Sequence, residues 1–226
     1  MVKNHLLRLN APKSWPIGRK GIVYIRRPNA GAHSLQNSIP LSLVLTNLLD
    51  YVRTRKEVKK ILYEGKIIVN NKVRKDPSFP VGIMDIVSIP SLNETHRVIY
   101  NTKGKFAIIP VEKENAIRLV KLVNKTILGK DKVQLNFFDG TNIIIAKNNY
   151  KVEDTLFINM KDKTVQKHLR LEKGAVVYLT GGKKIGEQGV LEEIKEDKII
   201  VKINESLFET ARRYAFVIGD AGVVKK

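Results

Sequence analysis

Apolar residues recur at helical spacing over residues 41–52, where Leu41, Val44, Leu45, Leu48, Leu49 and Val52 fall on one stripe. Arg53 breaks that stripe. Thr54 and Glu57 then form a capping box that opens a second helix, on which Val58, Ile61 and Leu62 face inward. Gly65 suits the end of this helix, because the left-handed backbone there penalises any Cβ. The period next shortens to that of strands. Residues 66–69 form one strand, Asn70-Asn71 a tight turn able to take positive φ, and a return strand starts at Lys72. Pro77 and Pro80 bound a loop, and residues 83–89 read as a final strand.

Beyond this module the chain is rich in short alternating segments. Residues 96–100 and 105–109 flank Thr102-Lys103-Gly104 as a hairpin, and residues 133–138 and 141–146 flank Asp139-Gly140 as another. Residues 112–126 are open between helix and strand, with a short helical turn followed by a strand as the expectation. Residues 150–154 turn into a strand at 156–160, and 164–171 follows. Segments 175–180, 189–194, 199–203 and 214–218, separated by Gly-rich or acidic turns, predict a small SH3-like barrel. In the first forty residues Pro12, Pro16, Pro28 and Pro40 interrupt any pattern longer than a strand such as 22–25. The reading is an α+β chain, mostly β. It has an arm (1–36), a helix–hairpin module (37–90), a central β-rich domain (91–170) and a C-terminal barrel (171–226).

Charge changes the picture. The 226 residues carry a formal net charge of +19, and 43% hydrophobic content is enough to fold. Residues 1–49 hold seven Lys/Arg and no acid, whereas residues 171–226 hold ten against nine. Nucleic acids and acidic proteins are therefore the expected partners, and only the nearly neutral C-terminal quarter need not bind a polyanion. The sequence has no Cys, which removes disulfides and thiolate chemistry, and no apolar run near the ~18 residues that cross a bilayer. A soluble intracellular protein with no membrane partner is expected.

On the second helix, Arg55 with Lys59 and Lys56 with Lys60 recur four residues apart and make two cationic rows. Such rows are either loosely solvated or matched by an anion. Arg53 ahead of the helix and Lys66, Asn70, Lys72, Arg74 and Lys75 on the hairpin converge with them, which favours a phosphate-backbone footprint. In the arm, Lys3, Arg8, Lys13, Arg19, Lys20, Arg26 and Arg27 alternate with His5, Trp15, Tyr24 and His33. Such an arm cannot build its own core, so it is either a disordered tail or a segment ordered by RNA through stacking and phosphate contacts. Protease sensitivity in the free protein is expected. Trp15 is equally suited to plug the next domain.

Other chemistry is missing. Gly181 to Gly186 is followed by Glu187 where a phosphate loop needs Lys-Ser/Thr. The four His are too scattered for a metal set, and Asp139 and Asp154 read as turn formers. No cofactor, metal or small-molecule substrate is expected.

The Thr-Arg-x-x-Val-x-x-Ile-Leu helix, with Gly-Lys-Ile-Ile-Val-Asn-Asn-Lys-Val-Arg and Pro-Val-Gly-Ile-Met-Asp-Ile-Val after it, resembles the alpha-L RNA-binding motif. Asn71 stands where that motif usually has Gly. Gly174, Gly182, Gly186 and Gly189 with Val190 resemble the KOW strand–loop–strand, whose loop here offers Lys183 and Lys184 but also Glu187. The whole order, with Ala11 to Trp15, Arg27-Pro28, and Phe208 to Thr210, is similar to the archaeal and eukaryotic small-subunit ribosomal protein family S4e. Ala32, Ser34 and Gln36 depart from its pattern. That resemblance implies a cytoplasmic, non-catalytic protein of the small ribosomal subunit that binds ribosomal RNA beside neighbouring ribosomal proteins. Two other classes stay open: an RNA-modifying enzyme with an alpha-L targeting domain, and a KOW-type transcription elongation factor.

Overall fold

The computed structural model describes residues 5–111, 118–129, 132–146, 149–159 and 164–219. These form two compact units, one of residues 5–100 with 105–111 and one of 101–104 with 118–219. Lys3 and the helical turn expected before the strand near 118 lie outside the described residues.

In the first unit the arm is folded, which corrects the expectation that it has no core. Strands β1 (His5–Leu7) and β2 (Tyr24–Arg26) pair as an antiparallel ribbon. Leu6, Ala11, Trp15 and Ile25 are buried. Strand β3 (Ser38–Pro40) pairs with β6 (Pro80–Gly82), and helix α1 (Leu41–Leu43) follows. This helix is shorter than its stripe. After three residues it widens into a π turn at Val44–Leu48, where Leu49 N–H donates to Val44 at 2.9 Å, and Asp50 at φ 53° ends it. Thr46 Oγ1 donates to the Ser42 carbonyl at 3.0 Å, competing for the acceptor a regular turn would use. Leu41, Val44, Leu45 and Val52 are nonetheless buried.

Helix α2 (Arg55–Tyr63) and the strands β4 (Ile68–Val69) and β5 (Lys72–Val73) follow the sequence reading closely. The final strand is shorter than expected. Met84 takes φ 63°, so β7 (Ile86–Ile89) starts only after that turn. Strands β8 (Glu94–Tyr100) and β9 (Phe106–Pro110) extend the same sheet, giving the order β5-β4-β7-β8-β9. Strand β8 pairs with β7 (Ile86↔Arg97 to Ile89↔Glu94) across residue 90, and β9 pairs with β8, so this hairpin continues the sheet of the helix–hairpin module.

The second unit has two five-stranded antiparallel sheets. The first orders β10 (Arg118–Ile127), β11 (Val133–Phe137), β12 (Asn142–Ile145), β13 (Thr155–Ile158) and β14 (Val165–Leu169) as β12-β11-β10-β13-β14. The open stretch thus resolves to strand over its described part. Both turn acids are buried and act as turn formers: Asp139 accepts from Thr141 N–H at 2.9 Å, and Asp154 from Lys151 N–H at 2.9 Å.

The second sheet comprises β15 (Val176–Leu179), β16 (Gln188–Ile194), β17 (Lys198–Ile203), β18 (Ser206–Ala211) and β19 (Ala215–Val217). Its order, β18-β17-β16-β15-β19, buries Val177, Leu179, Leu191, Ile199, Val201 and Val217 in one cluster. Gly189 is required here, since a Cβ on it would lie 2.5 Å from the Lys202 carbonyl of the paired strand.

Candidate nucleic-acid interface

Helix α2 begins at a complete capping box. Glu57 N–H donates to Thr54 Oγ1 at 3.3 Å, and Glu57 Oε2 accepts from the N–H groups of Thr54 at 3.3 Å and Arg53 at 3.1 Å. The Thr54 bond, followed by those backbone bonds, holds the Glu57 carboxyl below the usual carboxylate range. Val58 and Leu62 are buried, while Ile61 is only partly so. Their burial fixes which side of the helix faces outward.

Arg53, Arg55, Lys56, Lys59 and Lys60 are all exposed. Glu57, Glu64, Asp76 and Asp85 are taken up locally. Glu57 caps the helix, and Glu64 pairs with Lys66 at 2.6 Å, which lowers the Glu64 pKa. Asp76 accepts from Asn29 Nδ2 and Ser78 N–H, both at 2.8 Å. Asp85 is buried. Among the described residues no carboxylate lies within ion-pair distance of Lys56, Lys59 or Lys60. Like charges four residues apart cost a few tenths of a kcal/mol per pair, and here only the pull of Lys60 on Glu64 offsets it.

The hairpin beyond α2 adds to the same surface. Lys75 Nζ lies 5.5 Å from the centroid of the Tyr63 ring at the end of the helix, and Lys72 and Lys75 are exposed. Arg74 instead lies over the Phe79 ring at 4.2 Å. Asn70 and Asn71 take φ 49° and 61°, the left-handed turn expected of them. Asn70, however, is a turn builder. Its Nδ2 donates to Asp85 Oδ1 at 2.6 Å and its Oδ1 accepts from Ile86 N–H at 3.0 Å.

The arm divides its predicted contacts differently. Trp15 is 1% exposed, and its Nε1–H donates to the Ser38 carbonyl at 2.7 Å, so its ring is a plug and cannot stack on a base. His33 is buried too. Its Nε2 sits 3.0 Å from Asp85 Oδ2, which also accepts from Gly82 N–H at 2.8 Å. A Cβ on Gly82 would lie 2.5 Å from the His33 ring, so glycine is needed for this contact.

Arg19 donates to the carbonyls of Leu9 and Ala11 at 3.1 and 3.0 Å, and Arg8 to those of Ile22 and Gly18 at 2.9 and 2.8 Å. Arg26 Nη1 donates to Ser78 Oγ at 3.1 Å. Lys13, Lys20 and Arg27 are exposed. In the C-terminal sheet Lys183 is exposed, whereas Lys184 pairs with Glu187 at 3.2 Å and lies over Phe208.

Sequence reasoning missed Asp85. An acid inside the apolar run Pro80–Ile89 is the signal that could have found it. Arg55 Nη2 also reaches the Tyr24 carbonyl at 3.5 Å, which links the start of α2 to the arm ribbon.

Three family models match the chain: the RS4NT (NUC023) domain over residues 2–36, the S4 domain over 44–87, and the ribosomal family S4e over 92–165. The small ribosomal subunit protein eS4 of Methanocella arvoryzae is 41% identical over 225 residues, covering 97% of this chain and 95% of that protein. Its counterpart from Methanocaldococcus jannaschii is 37% identical over 232 residues, covering 96% and 95%. The crystal structure of the 30S ribosomal protein S4e from Thermoplasma acidophilum superposes with a TM-score of 0.71 at 28% identity, covering 81% of this chain and 95% of that one.

Proposed function

The chain belongs to the ribosomal S4e family, and from that premise we propose that it grips small-subunit ribosomal RNA with α2 and the β4–β5 hairpin. It is a structural constituent of the small ribosomal subunit and has no catalytic role. Its partners are ribosomal RNA and neighbouring small-subunit proteins, and its place is the ribosome in the cytoplasm. Membership of this family removes the RNA-modifying enzyme and the elongation factor as readings.

The observation that carries the gripping surface is the pair of unneutralised rows, Arg55/Lys59 and Lys56/Lys60, on a helix anchored by Val58 and Leu62. A helix that keeps four cations outward and ties up its own acids is suited to a run of phosphates. Lys72 and Lys75 extend the surface, and Lys13, Lys20 and Arg27 are its candidates in the arm. Arg8, Arg19 and Arg74 are assigned to holding the fold. The four-part division of labour along the chain is likewise a proposal, with β8 and β9 counted with the gripping module. In the C-terminal sheet, a KOW-type loop would offer Lys183 alone, since Lys184 is engaged.

Cosedimentation tests this reading. Tagged wild-type protein should travel with small subunits, and Arg55→Glu with Lys59→Glu should abolish that while changing stability by no more than about 0.5 kcal/mol, as surface changes do. A double variant that cosediments like wild type removes α2 as the grip.

A further inference from the structure

Beside α2, the arm encloses a groove of about 1170 Å³ lined in part by His5, Tyr24, Arg26, Arg27 and Arg55. The rings of Tyr24 and His5 pair with centroids 5.3 Å apart at a 49° tilt, and Tyr24 is 51% exposed. His5 is exposed as well, so both residues of the ring pair are open to water beside the groove. The wall is held firmly. Arg26 is fixed to Ser78, and a Cβ on Gly31 would lie 2.7 Å from the Pro80 ring, so this side is close-packed against β6. Arg55, the first residue of α2, reaches the Tyr24 carbonyl at 3.5 Å and joins the groove to the phosphate-binding face.

Resting on the reading that the chain binds ribosomal RNA, we propose that this groove receives an unpaired stretch of that RNA. One base stacks on the Tyr24–His5 pair, and Arg26, Arg27 and Arg55 hold the flanking phosphates. A duplex hides the faces of its bases, whereas an unpaired strand offers them to an exposed aromatic ring, and every base has such a face. The two rings that sequence alone made equally eligible, Trp15 and His33, are buried, which leaves Tyr24 and His5 as the stacking platform. A small free nucleotide would not use the continuity between groove and helix. A protein partner would use the exposed Leu7, Ile22 and Val23 of the same ribbon and ignore the arginines.

The test uses the full chain and two probes: a ten-nucleotide uridine oligomer, and a blunt-ended RNA stem formed by two fully complementary strands. Wild type should bind both. Tyr24→Ala should weaken the oligomer about 5- to 150-fold, the range of one base–aromatic stack, and leave the stem within twofold. Tyr24→Phe keeps the ring and should bind as wild type does. The same oligomer carrying 4-thiouridine, photocrosslinked to wild-type protein, should place its adduct on β1–β2, a readout that does not depend on any variant folding. Equal loss on both probes, no loss on either, or adducts confined to α2 would overturn the groove while leaving the α2 surface standing. Wild type that binds neither probe overturns both readings.

Discussion

Arg19 and Arg55 both belong to the basic half of the chain, and the fold uses them in opposite senses. The Arg19 guanidinium turns inward to carbonyls of residues 8, 9, 11 and 12, while Arg55 is exposed on α2 with one long contact, 3.5 Å, to the Tyr24 carbonyl. The difference follows from the backbone each serves. The irregular arm has few ladder hydrogen bonds, so its carbonyls need donors, and Arg8 and Arg19 supply them. Helix α2 satisfies its own backbone and its cap, so its cations are left to point outward. A count of positive charge cannot distinguish these two uses. The state of the local backbone can.

The contrast breaks most severely at the plug. Contrary to the sensitivity expected from sequence, the buried Leu6, Ala11, Trp15 and Ile25 predict a protease-resistant arm in the wild type, and Trp15→Ala should cost about 3–5 kcal/mol by opening a cavity and make the arm cleavable. Limited proteolysis with thermal melts reads both. A variant that melts and resists cleavage like wild type would mean that the arm owes nothing to its core.

A smaller effect is expected from Arg19→Ala, which strips donors from the carbonyls of residues 8–12. It should lower stability by about 1–3 kcal/mol and leave RNA affinity unchanged once the protein is folded. Loss of affinity without loss of stability would place Arg19 among the outward cations.

The smallest effect sharpens the contrast with an inward cation of the second unit. Lys121 is buried, and its Nζ donates to the carbonyls of Arg213 and Ala215 at 2.9 and 2.6 Å. Burial pulls its pKa down to about 8, from an ordinary 10.5. Between those values the unfolded chain binds more protons than the folded one, so this group adds stability as pH rises from 8 toward 10.5. Melting temperatures of wild type against Lys121→Met across that range should differ in slope, with the variant flatter. Parallel curves would show that Lys121 is solvated.

Sequence revealed most where structure is decided locally. The Thr54–Glu57 box, the Asn70-Asn71 turn and the Asp139-Gly140 hairpin are each set within a few residues, and each forms as read. What escaped depends on distant partners. Trp15 is claimed by Ser38, 23 residues on, and His33 by Asp85, 52 residues on, so neither burial has a local sign. The 41–52 stripe predicts one helix because periodicity says nothing about Thr46 taking the Ser42 carbonyl. Strand β18 was missed because it is an edge strand with no fully buried residue, which leaves no alternation to detect. In the candidate site, the outward rows of α2 were legible from spacing, and the inward arginines of the arm were not.

The central claim is that the α2 cations meet phosphates, while Arg8 and Arg19 of the arm meet carbonyls. The salt dependence of binding to a small-subunit ribosomal RNA transcript tests it most directly. Each phosphate contact contributes about 0.7–0.9 to the slope of log affinity against log salt. Arg55→Ala with Lys59→Ala should reduce that slope by about 1.4–1.8, two contacts' worth, while Arg19→Ala leaves it at the wild-type value. A double variant with an unchanged slope, or an Arg19 variant with a reduced one, contradicts the account.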